Sequence, residues 1–277
     1  MNKKKNVVCI DPNKRDLMYC GTYKNNEFVN FRYTQLQRQN ETQSKNHRKI
    51  RQELEKIKVK KKKINGKNVR WNKKDEKALK EYELEKCKYS MKSINTKKMK
   101  ENINRNEKIN NQIRKNYEEK IYRKLEWNGF INREKSESKM IKNFEEKMGK
   151  KEDTIVIVGD YSMKAKHMNG TIPAISKRIL TIFKKHKYEV YVTDEYRTSK
   201  TCNECGEETE MFHRRKSQKP RMKGKKELVS GLLRCQSLKC KIIHNRDKNA
   251  VKNMLKIVEE YKKNGDRPKN YCRKFSV

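Results

Sequence analysis

Long apolar runs are missing from this sequence. No stretch approaches the roughly 18 apolar residues of a membrane helix, and "VVCI" after the basic start is too short for the centre of a signal peptide. No amphipathic or acylated anchor is found either, so no membrane partner is expected and an intracellular protein is. Apolar residues make up only 32% of the 277, so a single core has to be compact. Acid is also scarce: 35 Asp and Glu stand against 74 Lys and Arg, a formal net charge of +39. Such a field gathers polyanions, and nucleic acid is the first partner it implies. An AT-rich coding sequence would account for Lys over Arg and for abundant Asn, but not for the deficit of Asp and Glu. In a reducing compartment the eight cysteines do not form a disulfide framework. Four of them cluster, whereas Cys9, Cys20, Cys87 and Cys272 are scattered and read as packing residues.

Along the chain, "NVVCID", "LMYCGTY" and "EFVNFRY" read as three strands separated by turn-rich "PNKRD" and "KNN", which suggests an antiparallel meander in residues 1–35. Residues 36–150 shift to Lys, Glu, Asn and Gln with thin helical stripes: Ile50, Leu54 and Ile57, then Ile109, Ile113, Tyr117, Ile121 and Leu125. Breaks are expected at "INGKNVRWN" and "EWNGF". In residues 151–200, "TIVIVGD" reads as a buried strand, residues 173–187 as a helix with Ile175, Ile179, Ile182 and Phe183 on one face, and "YEVYVTDEY" as a further strand. Residues 201–241 hold the clustered cysteines, residues 242–265 a helix striped by Ala250, Val251, Met254, Leu255 and Val258, and residues 266–277 a frayed tail. The fold class is therefore α/β. The order of elements is that of an RNase H-like mixed sheet carrying a long helical insertion and an inserted four-cysteine knuckle.

The chemistry sits in two constellations. Cys202 and Cys205 in CxxC, with Cys235 and Cys240 in CxxxxC, supply the four thiolates of a closed structural zinc site, although the second pair is wider than the usual ribbon spacing. His213 and His244 lie near and are read as exposed histidines of a basic segment. Between the pairs, "FHRRKSQKPRMKGKKE" offers Arg214, Arg215, Lys216, Lys219, Arg221 and Lys223 for phosphate contact, with a merely solvated charged loop as the rival reading. The second constellation is acidic. Asp11 ends an apolar run and shares a face with Val7 and Cys9, and Asp247 lies on the buried stripe of the last helix. Inward carboxylates need a partner, and magnesium or manganese, hard ions that take oxygen ligands, would match them. A turn aspartate and an N-terminal helix carboxylate remain the plain alternatives.

"IDPNKRDLMYC", "VGDYS", "VTDEYRTSKTCNEC" and "CQSLKCKIIHNRDKNA" resemble the successive RuvC and zinc-finger motifs of Fanzor proteins, eukaryotic and giant-virus relatives of transposon-encoded TnpB nucleases. The resemblance covers residues 5–35 and 154–255 well and the helical middle loosely. It implies an RNA-guided DNA endonuclease with structural zinc, catalytic magnesium or manganese, a guide RNA and a DNA target. Asp11 would be the first RuvC aspartate and Asp247 the last. TnpB proteins carry a glutamate at the end of the strand matching "TIVIVG", where this chain has Gly159. Fanzor-like sequences instead place an acidic residue on the next strand, which is Glu195. Asp160 is the alternate, expected to face away and to stand outside the cluster. Family members carry wedge and recognition domains ahead of the first aspartate, so the chain resembles the carboxyl half of such a protein. An inactive relic or a transposition accessory that only binds nucleic acid is the alternative function. Nucleus, cytoplasm or viral factory, and the oligomeric state, are left open.

Overall fold

The computed structural model describes residues 6–54, 85, 94–160, 176–217 and 224–273. It comprises two compact units, one formed by Met1–Arg38 with Glu137–Val277 and the other by Gln39–Ser136.

The first unit is built on a mixed five-stranded sheet. Strands β1 (Asn6–Asp11), β2 (Asp16–Lys24) and β3 (Glu27–Thr34) form an antiparallel meander. The β2–β3 turn is Asn25-Asn26 with both residues at positive φ (49° and 66°), the backbone a two-residue hairpin demands and asparagine tolerates. Strands β4 (Thr154–Gly159) and β5 (Glu189–Thr193) add in parallel on the other side of β1, giving the order β3-β2-β1-β4-β5.

Period-two alternation divides the core into two layers. Val8 and Ile10 of β1 and Val156 and Val158 of β4 face Phe144 and Met148, near the end of a long helix, and Ile179 and Phe183. The intervening residues Cys9, Ile155 and Ile157 face Val251, Met254, Leu255 and Val258. Those four belong to the last helix, which caps the opposite face of the sheet. Because β1 and β4 are covered on both sides, they read as continuous apolar runs. Cys9 and Cys20 are buried, as packing residues should be; Cys272 is exposed instead, and Cys87 lies outside the described residues.

Helices α1 (Gln35–Thr42), α2 (Ser44–Leu54), α3 (Thr96–Tyr117) and α4 (Lys120–Met148) follow the meander, and α4 runs on into the first unit's core. In the second unit, Ile109, Ile113 and Tyr122 form a small cluster joined by Leu54 and Ile121. Ile50 and Tyr117, expected on the same stripes, are exposed. The expected break at "EWNGF" does not occur, since α4 continues through it; "INGKNVRWN" and Ile57 lie outside the described residues. One glycine costs a helix about 1 kcal/mol, a penalty that packing of the flanking turns can offset. The interruption falls instead at Glu118 and Glu119, where Arg114 bonds the Glu118 carboxylate (2.9 Å) and Arg123 its carbonyl (3.3 Å).

Helix α5 (Ser176–Lys185) precedes β5 and buries Ile179, Ile182 and Phe183; Ile175 lies outside the described residues. Beyond β5 come β6 (Thr209–Glu210), β7 (Arg214–Lys216), β8 (Lys226–Leu228), β9 (Leu232–Cys235) and β10 (Ile243–Asn245). They form a three-stranded sheet, β10-β9-β6, and a separate β7–β8 hairpin. Helix α6 (Arg246–Asn264) starts directly from β10, so the cysteine-bearing sheet and the core helix share one backbone. The Asn245 side chain caps α6 by accepting from Lys248 N, and Gly265 ends it in the left-handed conformation (φ 77°).

Candidate active site and metal centre

Asp11 closes β1 on the face that α6 covers, and Asp247 lies in the first turn of α6. Burial and, next, the Asp247 charge push the Asp11 carboxyl well above the usual carboxylate range. Asp247 is raised too, chiefly by burial, although Asn13 Nδ2 donates to its Oδ1 at 2.9 Å and pulls the other way. Two half-buried acids, both raised chiefly by burial, with the charge of Asp247 further disfavouring that of Asp11, form a site suited to a cation.

Glu195 completes this edge by an indirect route. It stands two residues beyond Thr193, the β5 partner of Gly159, yet its side chain reaches back over the end of β4. A Cβ built on Gly159 would lie 2.6 Å from Glu195 Cγ and overlap the carboxyl group outright. Glu195 Oε1 is closed off from solvent there. The carboxylate thus stands where a side chain from the end of β4 would stand. Asp11 and Glu195 line one cleft of about 260 Å³, with Arg246 and Arg273 in its walls. Asp160 was expected to stand apart but lines the same cleft, because the alternation that would turn it away ends with β4 at Gly159. Its N–H donates to Thr193 O at 3.1 Å. Asp11, Glu195 and Asp247 offer the hard oxygen donors magnesium or manganese takes, so the residues fit such an ion by chemistry. Among the described residues, however, their oxygens are not gathered within 4.8 Å of one another, as the cysteine sulfurs are.

The cysteines make a tighter centre. All four sulfurs of Cys202, Cys205, Cys235 and Cys240 lie within 4.8 Å of one another. Cys202 and Cys240 are 3.9 Å apart, and Cys205 and Cys235 are 3.4 Å apart. A zinc–sulfur bond of about 2.3 Å in a tetrahedron sets sulfurs roughly 3.8 Å apart, so the donor set fits one zinc ion. Cys202 and Cys205 ride a tight turn in which Gly206 N–H bonds Cys202 O (2.9 Å), and Cys235 N–H bonds Ile242 O (2.9 Å) to bring in the second pair.

His244, read from sequence as exposed, is buried, with Nε2 3.1 Å from Cys202 Sγ; His213 is exposed as expected. Its place on β10 turns it onto the cysteines, and burial lowers its pKa, favouring the neutral ring. Asn249 and Asn253 were missed altogether. Both are buried on α6, and their amides donate to Thr201 O at 2.7 Å; Asn249 Oδ1 also accepts from Asn203 N at 3.0 Å. They fasten the segment leading into Cys202 to the helix carrying Asp247. Two asparagines four residues apart on an otherwise apolar stripe were the available signal.

Arg214 and Lys216 are exposed and Arg215 half-buried on β7, which pairs with β8. The inserted segment is therefore a hairpin arm at its base and not a plain loop. Lys219, Arg221 and Lys223 lie outside the described residues.

The residues following α6 are not frayed as far as Arg273. They form a short 3₁₀ turn, Lys269–Tyr271, and bury Tyr271, whose hydroxyl donates to Asn253 Oδ1 at 2.9 Å. Among the described residues no helix is long and apolar enough to cross a membrane.

Residues 177–254, which include Glu195, all four clustered cysteines and Asp247, match the family model of the Cas12f1-like TNB domain. No curated protein matches the chain. Among solved structures, the chain is similar to the mini RNA-guided endonuclease CRISPR-Cas phi3, with 12% identity and a TM-score of 0.47 over 91% of this chain. The chain spans 45% of that structure's length.

Proposed function

We propose that the protein is a metal-dependent nuclease acting on DNA, with an RNase H-like (RuvC) catalytic sheet, a structural zinc ion held by Cys202, Cys205, Cys235 and Cys240, and an RNA-guided, TnpB- or Fanzor-like ancestry. The observation that carries this reading is the Glu195 carboxyl lying over Gly159, which adds a third acid to the sheet edge of Asp11 and Asp247. The order β3-β2-β1-β4-β5, an antiparallel meander with two parallel additions, supports the fold. The Cas12f1-like TNB match supports the class of nuclease, because it spans the acidic and cysteine motifs together. The net charge of +39 supports a polyanionic substrate and guide.

Asp11, Glu195 and Asp247 would hold magnesium or manganese, which supplies Lewis acidity and an activated water for phosphodiester hydrolysis when bound. Arg246, in the wall of the cleft, would orient the scissile phosphate. The cysteine centre would fix the β7–β8 arm, whose Arg214 and Lys216 would follow the nucleic-acid backbone.

The spacing of the carboxylates, looser than that of the cysteines, favours one second reading, a relic that binds nucleic acid without cutting. Magnesium-dependent cleavage of single-stranded DNA by the purified protein with its copurified RNA separates the two. Cutting that Asp11→Ala abolishes is expected; tight binding without any cutting by the wild type would overturn the nuclease in favour of the relic.

A further inference from the structure

Glu195 has no strand to hold it. β5 ends at Thr193, and the residues that follow turn away from the sheet. Within this turn, Tyr196 N–H bonds Asp194 Oδ1 (3.0 Å), and Thr198 bonds Glu195 O through both its N–H (3.1 Å) and its hydroxyl (2.9 Å). These local bonds shape the turn without anchoring it over Gly159.

The anchor comes from the segment after α6. Arg273 forms a fork with Asp194, Nε to Oδ2 at 2.8 Å and Nη2 to Oδ1 at 3.1 Å, and its guanidinium lies 4.7 Å from the Tyr196 ring centroid. Arg267 Nη2 donates to the Asp194 carbonyl at 2.7 Å while its Nε donates to Tyr271 O at 3.0 Å. Tyr271 is tied in turn to Asn253, whose amide also donates to Thr198 O at 2.8 Å. The residues on either side of Glu195 are thus gripped by Asn253 of α6, the helix that carries Asp247, and by Arg267 and Arg273 in the segment that follows it.

We infer that residues 267–273 are a latch that positions Glu195, with Arg273 as its key positioning residue. The inference rests on the nuclease reading for its consequence, not for its geometry. A two-pronged Arg–carboxylate pair fixes direction as well as distance, which a lysine cannot reproduce. The latch also neutralises Asp194 at the rim of a cleft already lined by Asp11, Asp160 and Glu195. Displacing Glu195 by about 1 Å is enough to spoil a constellation of ligands.

The test compares wild type, Arg273→Ala, Arg273→Lys and the charge exchange Arg273→Asp with Asp194→Arg, all in the full chain. Two quantities are read: hydrogen exchange of the peptide spanning residues 194–200, and manganese affinity measured by the paramagnetic signal of the free ion. Arg273→Ala is expected to speed exchange in that peptide and to weaken manganese binding about 10- to 100-fold, with zinc content retained. Arg273→Lys should recover part of this and the charge exchange more. Unchanged exchange in Arg273→Ala would overturn the latch. So would manganese affinity that stays at the wild-type value while exchange rises, since the grip would then serve only stability. Wild type that binds no manganese would instead sink the nuclease reading, and the exchange comparison would still decide whether the latch holds the turn.

Discussion

The carboxyl group of Glu195 occupies the space that a side chain at Gly159 would fill. Glycine is required there by close approach and not by backbone conformation, because no positive φ is recorded at this residue. Gly159→Ala should therefore behave like a site mutation, expelling Glu195 and lowering magnesium-dependent cutting roughly 100-fold, with zinc content and DNA binding retained. Transplanting the acid, Gly159→Glu together with Glu195→Ala, should recover part of the loss, since the new side chain starts from the strand end beneath the same spot. Cleavage rates of the wild type and these two variants check this. Normal cutting by Gly159→Ala would remove Glu195 from the site.

The cysteine centre should carry about one zinc ion per chain, and Cys202→Ser should lose it. His244→Phe should keep the ion but bind it about 10- to 100-fold more weakly, because a ring nitrogen 3.1 Å from Cys202 Sγ can donate to the thiolate. Zinc analysis and chelator competition measure both. Chelation should also loosen the stretch that Asn249 and Asn253 fasten to α6, seen as faster hydrogen exchange in residues 198–203.

How much of this was legible depended on whether a signal was periodic. β1, β4 and α6 declared themselves because alternation or a helical stripe records which side faces the core, and Asp11 and Asp247 follow from that register. The cysteines were legible from spacing alone. Glu195 was reached only through resemblance, since a side chain that leaves a turn and crosses a neighbouring strand leaves no local pattern. The same holds for His244, whose burial depends on β10 pairing with β9, and for Arg267 and Arg273, whose partner Asp194 is far away in sequence. "EWNGF" misled because turn-forming residues were weighed without the packing that holds α4 together on either side.

Salt should weaken DNA binding steeply, because Lys and Arg release counterions from phosphates. Replacing both Arg214 and Lys216 by alanine should reduce the slope of log affinity against log salt by about two, one per phosphate contact, with little change in base preference. Binding isotherms at several salt concentrations test this. An unchanged slope would leave the β7–β8 arm as a solvated hairpin.

Burial of Asp11 beside the charge of Asp247 makes one prediction about stability, and its sign can be worked out. Well below about pH 4, an ordinary unfolded aspartate is protonated, and so is Asp11 in the folded protein, so its burial carries no ionisation penalty. As pH rises, the unfolded chain loses a proton that folded Asp11 still keeps, because its pKa is raised. The unfolded state then binds fewer protons than the folded one, and stability falls until the folded-state pKa is passed. A divalent ion reverses this by favouring the charged carboxylates, and protons compete with it at low pH. Thermal unfolding of the metal-free protein should therefore come at a lower temperature near pH 8.5 than near pH 5.5 through this group, and magnesium should raise it more at the higher pH. Asp11→Asn removes both the penalty and the ligand. It should unfold about 2–5 °C above the metal-free wild type near pH 8.5, lose the magnesium response and fail to cut. A variant less stable than the wild type would mean that Asp11 is a satisfied structural acid, and one whose midpoint still rises with magnesium would mean that the ion binds without Asp11.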